Sequence, residues 1–368
     1  MKRKVLILIV SRGVGGLEKR FAHLYKYLHS DDDGNSQLTF LVSKAQVDLM
    51  PAYKLPPTKS VHLKTFGVSK SGNKTENKAL LRFIDYTLLM FQILTKYAWK
   101  RYDVVHFVTQ SSLNFRRFLK ADRKVFSFVQ AGDVDPILKS GTYSGIIKAG
   151  YHIDCLSDDL KRLTLDLKVG NPAQIHASPC SFIDYSGTSI GDKKNIIVFL
   201  GRFDKNKGVE ILLESLIEIY YATPPGFQIK ILGHGPKDKE ILGFIEQHKL
   251  KDRVFAGFEP NPLSILKESL IYMSLQSVEN YPSQALIEAM ACGNAIVATN
   301  VGLTHRMVTP DVGILINSKE ELVKAVVKFS TDKELAKNAG RKGRDKMMKE
   351  FTVQRFTQYL LNEVYFGN

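Results

Sequence analysis

Three groups of residues in this 368-residue chain have the types and spacing to handle a phosphate. The first surrounds a lone carboxylate. Between Ala285 and Thr299 every residue is apolar, small or neutral except Glu288, and a charge in such surroundings costs several kcal/mol unless it is partnered or protonated. Pro282 and Ser283 read as a helix start with Ser283 as N-cap, Gly293 reads as its stop about three turns later, and a strand, Ala295 to Thr299, follows. Such a helix offers free backbone N–H groups and a positive dipole end to a phosphate. Glu288, one turn further in, is placed to hold two sugar hydroxyls, so the stretch reads as a pocket for a nucleoside phosphate. A Glu288 bonded to an arginine of a neighbouring element is the competing reading.

The second group is a pair of cations. A buried strand, Ile196 to Leu200, ends in Gly201 and Arg202, and a basic loop then leads through Lys207 to Gly208 and an amphipathic helix. Both cations project from the carboxyl end of a parallel strand, where ligands bind in such sheets. A planar guanidinium and a point-charge ammonium together suit a diphosphate; ordinary surface cations are the alternative. The third group is the glycine loop after the first strand, Lys4 to Val10, where Gly15 and Gly16 open an amphipathic helix. Backbone can approach a phosphate closely there, although a plain turn accounts for the same residues.

The elements that must position these groups follow from length and pattern. At 368 residues the chain suits two domains with separate cores. Charge is unevenly divided: Met1 to Asp184 carries 28 Lys and Arg against 16 Asp and Glu, whereas the remainder carries 24 against 21. The first half is therefore expected to meet something anionic, such as nucleic acid, lipid headgroups or a phosphorylated substrate, unless its charge serves solubility alone. Cys155, Cys180 and Cys292 sit among apolar neighbours and read as core residues of a reduced compartment. MKRKVLILIV has too short an apolar run for a signal peptide and reads as a buried strand. Leu80 to Trp99 is interrupted by Arg82, Asp85 and Lys96 and falls short of the roughly 20 apolar residues of a membrane span.

Further strands are expected at Leu38 to Val42, Val61 to Phe66, Tyr102 to Val108, Arg123 to Gln130 and Tyr151 to Leu156, with Ser157 capping a helix to Leu167. A helix from about Glu76 to Lys100 has apolar positions covering more than one stripe, which means deep burial or docking on a partner or membrane. In NFRRFLKADRK, Arg116, Arg117, Lys120, Arg123 and Lys124 interleave with Phe115, Phe118 and Leu119. This suits an anionic membrane or a phosphate-bearing acceptor, or else is a solvated helix face. His106 reads as a satisfied core histidine. The polar run GTSIGDKK is a candidate hinge.

On these residues the chain resembles the retaining glycosyltransferases of family 4, which have the GT-B fold: α/β, with two Rossmann-like domains facing across a cleft. ALIEAMACG followed by a strand and Val301-Gly302 is similar to the family's E-x7-E region, Gly201 to Gly208 to its Gly-Arg-x4-Lys-Gly motif, Gly233-His234-Gly235-Pro236 to its G-x-G-P, and Gly15-Gly16-Leu17-Glu18 to its GG-x-E. The family's two glutamates sit eight apart, whereas Glu279 and Glu288 are nine apart, so the first position falls on Glu279 or on Asn280. The resemblance implies that Arg202 and Lys207, with the helix start Ser283 to Leu286 and with Gly15 and Gly16, stabilise the departing diphosphate, that Gly201 and Gly233 also bind the substrate, and that Glu288 holds the donor ribose. It further implies that Glu279 or Asn280, with the backbone of Ser283, Gln284 and Ala285, orients the sugar, and that Asp133 binds an acceptor hydroxyl. Gln130 replaces the histidine that the family carries near the reacting centre, and it cannot act as a base. Asp184 takes the aspartate position of the family's linker turn, and Arg306 stands where a glutamate is usual.

What the resemblance implies for the whole chain is an acceptor-binding domain over residues 1–184, a nucleotide-sugar-binding domain over 185–350, and a helix over 351–368 crossing back to the first. The expected activity is transfer of a sugar from a UDP- or GDP-sugar to an acceptor hydroxyl with retention, without metal or other cofactor, in bacterial-type surface polysaccharide or glycolipid synthesis. The acceptor is expected to be anionic or lipid-linked, and the enzyme cytoplasmic with peripheral contact to an anionic membrane and no nucleic acid. A nucleotide-sugar epimerase of the same fold is the first alternative. A basic nucleic-acid-binding protein is the second; it explains the charge but neither Glu288 nor the phosphate-type loops.

Overall fold

The computed structural model describes residues 2–11, 13, 15–30, 36–67, 78–129, 134–180, 182–183, 185 and 188–367. Gln130, Asp133 and Asp184 lie outside the described residues, as does stretch 68–77. The chain divides into two compact units: residues 1–129, 134–181 and 353–368 form one, and residues 130–133 with 182–352 the other.

The first unit holds β1 (Arg3–Ile9), α1 (Gly16–Ser30), β2 (Ser36–Ser43), α2 (Lys44–Leu49), β3 (Val61–Phe66), α3 (Lys78–Gln92), β4 (Arg101–Phe107), β5 (Lys120–Phe128), α4 (Asp135–Leu138), α5 (Gly141–Lys148), β6 (His152–Cys155), α6 (Asp158–Leu165) and β7 (Ile175–Ala177). Its sheet is parallel, in the order β3-β2-β1-β4-β5-β6-β7. β1 is apolar and buried from Val5 to Ile9, after the exposed Arg3 and Lys4, because helices cover both faces of a parallel sheet. The order reverses at β1 and β4, which opens a crevice beyond their carboxyl ends.

The second unit holds β8 (Lys194–Leu200), α7 (Val209–Ala222), β9 (Gln228–Leu232), α8 (Asp238–Gln247), β10 (Val254–Gly257), α9 (Pro262–Glu268), β11 (Ser269–Ser274), α10 (Gln284–Ala291), β12 (Ala295–Thr299), α11 (Thr304–Met307), β13 (Gly313–Ile316), α12 (Lys319–Thr331) and α13 (Lys333–Glu350). Its parallel sheet runs β10-β9-β8-β11-β12-β13, with the reversal between β8 and β11. All six residues of β11 are buried. The two phosphate-type stretches of the sequence, after β8 and after β11, therefore flank the same crevice.

Two expectations change. The long helix ends as α3 at Gln92 and closes in a single wide π turn, Ile93–Tyr97, with the Ala98 N–H on the Ile93 carbonyl at 2.7 Å. The basic stretch does not form a helix face. Gln110–Phe115 is a 3-10 turn, and β5 begins already at Lys120, which pairs with Arg101 of β4. Phe115 and Leu119, buried and four apart, imitate a helical stripe while serving as separate anchors of turn and strand.

The chain ends in α14 (Val353–Tyr359) and a π turn, Leu360–Tyr365, both part of the first unit. A buried polar ladder holds them there. The Tyr359 hydroxyl donates to Asp154 Oδ1 (2.8 Å), Ser127 Oγ to Asp154 Oδ2 (2.8 Å), and His106 lies between Tyr365 Oη (2.7 Å) and Ser127 Oγ (2.8 Å). A neutral imidazole that donates from Nε2 and accepts at Nδ1 satisfies every partner. The Arg20 guanidinium lies 3.9 Å from the centre of the Phe356 ring and donates to Ser178 Oγ at 2.7 Å.

Burial, and then the Arg20 charge, push the His106 pKa down to about 3. The unfolded imidazole, near 6.5, binds a proton that the folded one refuses, so this contribution to stability is complete above that pH and is lost as pH falls toward the folded value. Lowering the pH to 5 should remove about 2 kcal/mol through His106 alone, read by urea unfolding of the first unit. His106→Gln should start less stable and show a shallower pH dependence; parallel profiles for the two proteins would contradict this assignment.

Candidate functional site

The crevice of the second unit is built from three loops tied to one another. After β8 the chain passes Gly201 and Arg202 and turns through a 3-10 turn, Lys205–Lys207, capped by Asp204. Asp204 accepts from the Lys207 N–H at 3.2 Å with one oxygen and from Arg202 Nε with the other, leaving the Arg202 side chain 70% exposed. The Lys207 stem packs on Gly201, and its ammonium donates to Gln276 Oε1 at 3.3 Å. Burial lowers the Lys207 pKa, against the pull of Asp204 and together with the push of Arg202. The Gln276 amide nitrogen in turn donates to Ser283 Oγ at 3.1 Å.

Ser283 is the N-cap of α10, yet its side chain makes no capping bond, because Gln276 engages it. The first turn of α10, carrying Gln284, Ala285 and Leu286, thus presents backbone N–H groups beside a lysine and an arginine. Gln284 Nε2 is anchored on the Phe182 carbonyl at 3.0 Å. Glu288, in the middle of α10, is buried at 7% exposure. It lies near Tyr272, whose phenol is pushed up by burial and then by the Glu288 charge.

Glu279 and Asn280 occupy the loop before α10, both half-buried. The Glu279 carboxylate accepts from the Tyr281 N–H at 2.6 Å and from the Leu303 N–H at 2.7 Å, bridging this loop to the turn after β12. Gly302 has φ +53°, and a Cβ there would fall on Glu279 Oε2. Gly233 has a comparable steric role: a Cβ would fall on the Gly201 carbonyl, so the glycine lets the loops after β8 and β9 cross in contact. The second unit thus brings together Gly201, Arg202, Lys207, Gly233, Glu279, Asn280, Ser283, Gln284, Ala285, Leu286 and Glu288 around its switch point. Gln276 and Asp204, which hold the cations, were missed: a neutral Gln and an Asp in loops carry no periodic signal.

Gly15, the last residue of the loop between β1 and α1, and Gly16, the first of α1, lie in the first unit. Glu18 closes that loop, accepting from the Gly15 N–H at 2.9 Å and from Ser11 Oγ at 2.7 Å. Beside it, at the carboxyl ends of β1, β2 and β3, is a cavity of about 530 Å³ lined by Ser11, Gly13, Ser43, Asp85, Tyr86 and Asn114 among others. Arg306 follows the turn after β12, in the short helix α11.

Residues 186–346 match the family described as glycosyl transferases group 1. That match lies within the second unit and covers less than half of the chain. N-acetyl-alpha-D-glucosaminyl L-malate synthase of Bacillus anthracis is 26% identical over 175 residues, 46% of this chain and 45% of the relative. The N-acetylgalactosamine-N,N'-diacetylbacillosaminyl-diphospho-undecaprenol 4-alpha-N-acetylgalactosaminyltransferase of Campylobacter jejuni is 29% identical over 109 residues, 29% of this chain and 28% of the relative. The chain spans about half the length of the first such curated relatives, or less. Among solved structures, Anabaena Alr3699/HepE in complex with UDP and glucose superposes with a TM-score of 0.71 at 17% identity, covering 98% of each chain. The two parallel-sheet units are those of the GT-B fold.

The coupling between Gly302 and Glu279 is open to test. Gly302→Ala should cost about 2 kcal/mol in urea unfolding, from the left-handed backbone and from displacing the carboxylate. In that background Glu279→Ala should cost less than it does alone, since both changes break one contact; additive losses would contradict the coupling.

Proposed function

We propose that the protein is a glycosyltransferase that moves a sugar from a nucleotide donor to an acceptor hydroxyl with retention of configuration and without a metal ion. The observation that carries this reading is the convergence of Arg202, Lys207 and the α10 N-terminus on one crevice, with Glu288 one turn inside it. Two cations and a helix N-terminus stabilise negative charge as it develops on a departing diphosphate, the work a metal ion would otherwise do. Glu288 accepts the ribose hydroxyls. The Tyr281 and Leu303 N–H groups hold Glu279 by its carboxylate, so it positions the loop before α10, and Asn280 beside it faces the sugar.

In this reading the first unit takes the acceptor, with its 530 Å³ cavity beside the Gly15-Gly16 loop as the pocket. The basic balance of that half suits an anionic or lipid-linked glycan made at the cytoplasmic face of a membrane, as in synthesis of surface polysaccharide or glycolipid. The Campylobacter relative, named for a diphospho-undecaprenol substrate, supports this choice of acceptor class. The Anabaena structure with UDP and glucose supports a UDP-sugar as donor. Closure on the donor would exclude water and limit hydrolysis.

Offered UDP-, GDP- and ADP-sugars with a bacterial lipid extract, the protein should release nucleoside diphosphate from one donor class in excess EDTA. NMR of the transferred sugar should show the donor's anomeric configuration. Arg202→Ala and Lys207→Ala should each lower kcat by about 100-fold. Inversion, sugar isomers formed with no acceptor, or activity that returns only with added divalent metal would overturn the proposal.

A further inference from the structure

Among the described residues, helix α3 has an apolar side that is exposed. Its inward stripe, Leu89 with Ile93 and Tyr97 of the following turn, is buried in the core of the first unit. The opposite side carries Leu80, Phe83, Ile84, Leu88, Phe91 and Leu94, at the three- and four-residue spacing of one helix face, and all are exposed. Phe83 is 68% and Phe91 65% exposed, and Trp99, just beyond the π turn, 85%. The two threonines among them do not break the apolar surface, because Thr87 Oγ1 donates to the Phe83 carbonyl at 2.9 Å and Thr95 Oγ1 to the Phe91 carbonyl at 2.7 Å.

Cations border this face. The Tyr86 ring lies 5.3 Å from that of Phe115, and Arg116 and Arg117 follow directly. Beside this turn and α5 is a groove of about 690 Å³ lined by Arg116, Arg117 and Lys124, by Asp122, which Arg101 engages, and by small residues of α5 such as Gly141 and Gly145. Lys96 and Lys100 add charge at the carboxyl end of the helix and its turn.

We propose that this surface docks on an anionic bilayer, with the outward face of α3 and Trp99 seated at the acyl boundary and the adjoining basic groove taking lipid headgroup phosphates. An apolar helix face with an aromatic at its end and arginines alongside matches the layering of a membrane interface. A second copy of the chain is disfavoured by charge, since each such face would bring the same cationic border. The inference deepens the proposed function by naming a partner of the first unit, and it stands apart from the donor site, which lies in the second.

Flotation of the full chain with phosphatidylcholine vesicles, with and without about a third phosphatidylglycerol, tests it. The protein should float only with the anionic vesicles. Phe83→Ser/Phe91→Ser should weaken binding about 100-fold, and Arg116→Gln/Arg117→Gln about 25-fold, with the remaining affinity falling as salt rises. Both double variants should keep the wild-type circular dichroism and the wild-type thermal shift with nucleotide sugars, which separates failure here from failure of the donor site. No flotation on anionic vesicles, unchanged flotation of both variants, or a wild-type dimer that Phe83→Ser/Phe91→Ser dissolves would overturn the proposal.

Discussion

A half-buried ammonium is the constraint on which the crevice of the second unit depends. Lys207 loses most of its water where β8 and β11 part, and burial pulls its pKa down. What it receives in return is a neutral acceptor, Gln276 Oε1, while the nearby carboxylate of Asp204 is shared between Arg202 and the Lys207 backbone. The positive charge is thus held in place without being matched by a dedicated carboxylate. Adding the N-terminus of α10 through Ser283 makes the crevice electropositive by construction, which suits the diphosphate of the proposed donor.

The rest of the second unit positions these few atoms. The loops after β8, β9, β11 and β12 are tied by short polar contacts: Thr299 Oγ1 on the Gln276 carbonyl at 2.6 Å, Ser277 Oγ on the Lys205 carbonyl at 2.9 Å, and Glu279 on the Leu303 amide. Glycines at 233 and 302 are required by close approach, of backbone in one case and of a carboxylate in the other. Rigid strand ends carrying fixed loops keep an electrostatic site preorganised, so that the proposed donor would meet it with little rearrangement.

Much of this was legible in the sequence because the signals were periodic or compositional. Continuous apolar runs located β1, β8 and β12, the run from Ala285 to Thr299 singled out Glu288, and Gly201 to Gly208 gave the cationic loop. What stayed hidden depends on contacts between distant loops. Nothing about Gln276 in isolation distinguishes it from a surface glutamine until Lys207 and Ser283 are seen on either side of it. The nine-residue spacing of Glu279 and Glu288 could not be resolved by counting, since Glu279 turns to amides at Tyr281 and Leu303. Around Arg116 the pattern misled, because two anchors four residues apart look the same in a helix as in a turn followed by a strand. For α3, apolar coverage of more than one stripe was consistent with burial or docking, and only the fold shows that one of its two apolar sides is outward.

Calorimetric titration of UDP- and GDP-sugars, in the absence of divalent metal, on the wild type, Lys207→Ala and Gln276→Ala tests the central claim most directly. The account predicts one donor class that binds the wild type, with affinity lower by about 10-fold or more in each variant, because the first removes the cation and the second releases it from Ser283 and the α10 N-terminus. Equal affinity in all three proteins, or no binding of any donor to the wild type, would contradict it.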